Sequence, residues 1–96
     1  MIMIEIGRVV IKTAGRDARG VGVIIDILDE NYVLVDGALR RKKVNIKHIE
    51  LLPKKLDIEK NAPKEKILEL LKKEKLISDE EYEYWINKTK ESNEQK

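Results

Sequence analysis

The chain has 96 residues, 40% of them charged, with a formal net charge of +2. A chain this short forms one small domain with an appendage and builds no deep catalytic cleft. It has no Cys and a single His, His48, which excludes disulfides, thiolate metal sites and His clusters. No apolar run approaches the ~18 residues of a membrane span, and the start MIMIEIGR has no secretory core. A cytoplasmic protein with no cofactor, no metal, no membrane role and no small-molecule substrate is expected.

The charge is unevenly spread. Positions 1–57 hold 11 basic and 8 acidic residues, and positions 58–96 hold 9 and 10. All five Arg (Arg8, Arg16, Arg19, Arg40 and Arg41) lie in the first part. Arg is the residue that grips phosphate in a fixed bidentate geometry, so anion-binding chemistry is expected in that part.

In chain order, Ile2, Ile4 and Ile6 alternate with Met3 and Glu5 in an extended lead. The runs Val9 to Lys12, Val21 to Leu28 and Tyr32 to Val35 are rich in Val and Ile and read as strands. Gly15 and Gly20 bracket a loop carrying Arg16 and Arg19, Asp29-Glu30-Asn31 forms a tight turn, and Asp36-Gly37 signals a hairpin. Alternation puts Val21, Val23, Ile25 and Ile27 on one core-forming face. Gly22, on the other face, marks a bend or the close approach of another backbone.

The strand Leu39 to Ile46 carries Arg40-Arg41-Lys42-Lys43. Strict alternation would place Arg40 and Lys42 beside Val44 and Ile46, so the first half of this strand is expected to overhang the barrel. Lys47 to Ile49 reads as one helical turn, with His48 packed or facing solvent, and Leu51-Leu52 as a closing strand before Pro53. Five short strands with Gly-rich turns suggest a small SH3-like β-barrel over residues 1–57.

Residues 58–96 read as a helical extension, tied to the barrel by Leu56 and Ile58. Asn61 caps a first helix near 62–75, whose Ile67, Leu70 and Leu71 follow helical spacing. A second helix near 79–88 opens with the capping box Ser78-Asp79-Glu80-Glu81 and a staple between Ile77 and Tyr82; Tyr82, Trp85 and Ile86 form its apolar stripe. Residues 88–96 are polar and read as a frayed end.

The succession of strand, basic loop, Gly22, acidic turn and hydrophobic strand ending in Asp36-Gly37 resembles a KOW motif of RNA-binding ribosomal proteins and transcription factors. IEIGRVVIKTAGRDARG, RRKKVNIKHIE and KKLDIEKNAPKEKILELL extend the likeness over residues 3 to 75 to archaeal members of the eukaryotic-type large-subunit ribosomal protein fourteen family. The resemblance implies a structural constituent of the large ribosomal subunit. It assigns contact with ribosomal RNA to Lys12, Arg16, Arg19, Arg40, Arg41, Lys42 and Lys43, with neighbouring ribosomal proteins as further partners. The modest net charge and the lack of a long basic tail depart from the family's eukaryotic members.

The residues themselves support a basic pole. In a meander of hairpins the first and third connections share an end, so Arg16, Arg19 and the start of the basic strand meet there. Asp26, Asp29 and Glu30 fall at the other end. The competing reading of the basic run is an edge strand whose charges only discourage strand pairing. A helix-turn-helix is rejected because Asp79, Glu80, Glu81 and Glu83 would meet phosphates. With Tyr32 as the one aromatic in the barrel portion, an aromatic peptide groove or base-stacking platform is not built. The acidic turn has no nucleophile or metal set beside it, so catalysis is not expected. The alternative is a KOW-type module that binds protein in a transcription or translation complex, with Tyr84 and Trp85 as candidate docking anchors.

Overall fold

The computed structural model describes residues 3–15 and 19–94, the last five by backbone alone. Arg16 therefore lies outside the described residues. The elements are β1 (Arg8–Lys12), β2 (Val21–Ile27), β3 (Tyr32–Gly37), β4 (Leu39–Asn45), a 3₁₀ turn (Ile46–His48), β5 (Ile49–Lys55), α1 (Lys64–Lys73) and α2 (Asp79–Glu94). The strands form one antiparallel sheet in the order β4-β3-β2-β1-β5, a barrel-like domain followed by two helices.

Both faces of the sheet are buried, which simple alternation did not anticipate. Val10, Ile24, Val33, Val35, Leu39, Val44 and Ile49 pack on the concave face, with Ile4, Ile46 and Leu51 at its margin. Val9, Val23 and Ile25 face the other way, onto Leu56, Ile67, Leu68 and Leu71. The face predicted to form the barrel core is thus the one covered by helices. Ile27 leaves that row because Ile25 is an extra residue between the pairs Ile24↔Val35 and Asp26↔Leu34. The bulge inverts the parity beyond it, and Ile27 ends 45% exposed.

A second bulge overturns the expected overhang of β4. The strand pairs with β3 along its length, from Gly37↔Leu39 to Tyr32↔Asn45. Between Gly37↔Leu39 and Val35↔Lys42, Asp36 alone stands opposite two residues, Arg40 and Arg41. The added residue lets Leu39 and Val44, five positions apart, both enter the concave core. Gly22 also has a definite role: a Cβ there would sit 3.0 Å from Leu39 Cδ2 and 3.1 Å from the carbonyl of Asp36. The glycine makes room for Leu39, which is fully buried.

Three smaller expectations shift. The 3₁₀ turn starts one residue early, at Ile46, because the Asn45 side chain accepts from Lys47 N at 2.9 Å. β5 runs through Pro53, which is tolerated because β5 is an edge strand and residues 52–54 bulge opposite Val9. Asn61 does not cap α1. It takes the left-handed conformation (φ 59°), open to Asn among the few non-glycine residues, and Pro63 stands at the cap.

α2 follows its sequence signals. Glu81 N donates to Ser78 Oγ at 3.1 Å and Ser78 N to Glu81 Oε1 at 3.2 Å, closing the capping box. The helix continues to Glu94, beyond the predicted end near residue 88. Ile77, Tyr82, Trp85 and Ile86 join the core beneath α1. The two helices are cross-braced by Lys72 over the Tyr82 ring (4.5 Å) and Lys64 over the Trp85 ring (4.6 Å).

Candidate nucleic-acid interface

The ladder brings the β1–β2 loop and the start of β4 to one end of the sheet. Val21 pairs with Ile11, Gly22 with Gly37, and Gly37 with Leu39, while Ala38 N donates to Val21 O at 2.9 Å. Arg19, just before β2, and Arg40, just inside β4, lie at this end, and both are exposed. Arg19 has a left-handed backbone (φ 72°), and its N–H closes the loop base on Lys12 O. β4 then carries Lys42 and Lys43 toward the opposite end. Lys42 is half-buried opposite Val35; exposed Lys43 lies 4.5 Å above the Tyr32 ring.

The acidic turn at that far end has local tasks. Asp29 Oδ1 accepts from Asn31 N (2.7 Å) and Tyr32 N (3.0 Å), fixing the turn. Asp26 accepts from Ile27 N at 2.8 Å and pairs with Lys60 at 3.5 Å. His48 faces solvent, and its carbonyl accepts from Thr13 N.

Other cations bond within the protein. Lys12 is buried, and its ammonium donates to the Ala14 carbonyl, so it braces the β1–β2 loop. Arg8 is buried as well, donating to Met3 O (2.8 Å), Leu52 O (3.3 Å) and Glu5 Oε2 (3.1 Å). Arg41 Nη1 donates to Asp36 Oδ2 and to Ala62 O, each at 3.1 Å. A third acceptor of Arg41 is Asn61 O at 3.5 Å.

Asp36 is the residue that sequence reasoning missed. In the sequence it reads as half of an Asp-Gly turn signal, yet it is a fully buried carboxylate. Oδ1 accepts from Lys64 Nζ at 2.6 Å and from Gly37 N at 2.8 Å, and Oδ2 accepts from Arg41. The available signal was an acid directly after the apolar run Val33-Leu34-Val35, which demands a buried cation if the strand continues through it.

Tyr84 and Trp85 part company. Tyr84 is 54% exposed, whereas Trp85 packs against the core and under Lys64. Their rings meet edge to face at 5.2 Å. Among the described residues no group of His, Cys, Asp and Glu is placed to hold a metal ion, and no helix is long and apolar enough to cross a membrane.

Two glutamates in surface ion pairs complete the electrostatics. The Lys55 ammonium, 2.5 Å from Glu5, together with Arg8 holds the Glu5 carboxyl below its ordinary value. Lys54, at 2.5 Å, does the same for Glu74 and ties β5 to the end of α1.

Fold and surface define a class: a small barrel-like β-protein under a helical cap, with a strand of cations along one margin. No family model matches the chain. Curated relatives do. Large ribosomal subunit protein eL14 of Methanococcus vannielii is 49% identical over 67 residues, 70% of this chain and 87% of the relative. The protein of the same name from Aeropyrum pernix is 50% identical over 74 residues (72% and 74%), and that of Pyrobaculum calidifontis 44% over 80 residues (78% of each). The chain belongs to the eL14 family of archaeal large ribosomal subunit proteins, which are structural components and not enzymes.

Proposed function

We propose that this protein is a structural constituent of the large ribosomal subunit in the cytoplasm, where it binds ribosomal RNA through Arg19, Arg40, Lys42 and Lys43. The observation that carries this reading is the position of β4 at the edge of the sheet. Its outer margin pairs with no other described strand, it carries Arg40, Lys42 and Lys43, and Arg19 stands at the end where β4 begins. A duplex backbone laid along that margin meets positive charge over the length of the strand, and phosphate contacts of this kind fix position without reading bases. The scarcity of aromatics on the sheet fits RNA recognised by backbone and shape.

The test is the salt dependence of binding to large-subunit ribosomal RNA. Each phosphate neutralised adds roughly 0.9 to the slope of log affinity against log salt on duplex. Replacing Arg19, Arg40, Lys42 and Lys43 together by Ala should therefore flatten the slope by about 3.6 units. An unchanged slope overturns the proposal. Tyr84, exposed on α2, is the anchor we assign to a neighbouring ribosomal protein.

A further inference from the structure

The buried carboxylate of Asp36 ties together four parts of the molecule. Arg41 reaches it from the bulge of β4, and Lys64 reaches it from the first residue of α1. Lys64 also donates to Gly37 O at 2.8 Å and Leu39 O at 2.6 Å, the two residues flanking the β3–β4 turn, and lies over Trp85 of α2. Arg41 in turn donates to Ala62 O, at the entry to α1. All of these bonds converge on the place where one residue of β3 faces two of β4.

That place sets the register of the basic strand. Side chains in a strand alternate with period two, so losing the extra residue slips the pairing by one and turns everything beyond it to the other face. Lys42, Lys43 and Val44 all lie beyond it. We infer that Asp36, Lys64 and Arg41 are positioning residues for RNA binding: the helical cap, acting through the Asp36 carboxylate, pins the bulge and so sets the direction of the cations that meet phosphate. Arg41 serves the clamp and takes no phosphate itself. This rests on the RNA-binding reading above and adds a regulator of that same surface, the packing of the two helices.

Two substitutions test it, because general electrostatics predicts a different outcome for each. Asp36→Asn makes the protein more basic, so a charge effect alone would tighten RNA binding; the clamp predicts binding weaker by about tenfold and a salt slope flatter by roughly 1, equivalent to one phosphate no longer neutralised. Arg41→Lys preserves the charge but not the planar fork that serves several acceptors at once. It should weaken binding a few-fold and speed amide hydrogen exchange across residues 40–45, with exchange in β1 unchanged. Measurements below the melting point of each variant separate positioning from unfolding, and the Arg41→Lys variant carries the test if Asp36→Asn does not fold. Native or tighter RNA binding by a folded variant overturns the inference, as does weaker binding with exchange unchanged at residues 40–45. If the Arg19/Arg40/Lys42/Lys43 variant leaves the salt slope unchanged, it is the RNA-binding reading that fails.

Discussion

Arg40 and Arg41 are adjacent, chemically identical and belong to one strand, yet the fold uses them differently. Both are exposed, but Arg41 reaches from β4 to the buried Asp36 carboxylate and to the entry of α1, whereas Arg40 stands at the end that carries the β1–β2 loop. The same division runs through the molecule: Arg8, Lys12, Arg41 and Lys64 bond internal acceptors, and Arg19 and Lys43 are exposed at the surface. A count of basic residues in the sequence therefore overstates the number of phosphates a small protein can neutralise. A cation bonded to a buried carboxylate and two carbonyls gains little from a phosphate that must first break those bonds.

The contrast between inner and outer cations is sharpest in the effects of removing them. Asp36→Ala leaves Lys64 and Arg41 without their buried counter-charge. Removing one partner of such a pair costs about 3–5 kcal/mol, so a large drop in the urea midpoint is expected. A drop under about 1 kcal/mol would mean that water or repacking replaces the clamp. Lys43→Ala should behave in the opposite way. Stability should fall by only about 0.5 kcal/mol, from the interaction with Tyr32, while the RNA salt slope flattens by about 0.9. If Lys43→Ala instead destabilises the protein as much as Asp36→Ala, the division into inner and outer cations breaks down.

The smallest expected effect lies with the surface ion pairs of Glu5 and Glu74. Their folded values are lowered, so the stability they add is fully present above the ordinary glutamate value of 4.5 and fades as the pH falls below it. Urea midpoints taken from about pH 7 down to about pH 3 should decline on the acidic side. A Glu5→Gln/Glu74→Gln variant should show a shallower decline, and an equal decline would assign the acid sensitivity elsewhere.

The elements that were legible in the sequence are those with local causes. The β-branched runs became β1, β2 and β3. The Ser78–Glu81 capping box started α2 where expected, because its hydrogen bonds join residues three apart. The common end shared by Arg19 and Arg40 followed from hairpin parity alone. The bulges at Ile25 and at Arg40-Arg41 were not legible, since an extra residue leaves no mark until the partner strand is known. Nor was Asn61 as a left-handed residue, or Arg41 as a clamp, because their partners Ile25 and Asp36 lie elsewhere in the fold.

The sequence by itself determined the kind of elements, their order and the pole to which the basic loop belongs, because propensity, turn chemistry and alternation act over a few residues. Tertiary structure decided that the sheet is buried on both faces, that β4 keeps its register through a bulge, and which cations face outward. Those outcomes depend on an uncompensated carboxylate seeking positive charge across 5 and 28 residues of chain, from Asp36 to Arg41 and Lys64. Buried charge must be paired wherever the fold brings a partner, and only the fold says which lysine and which arginine answer.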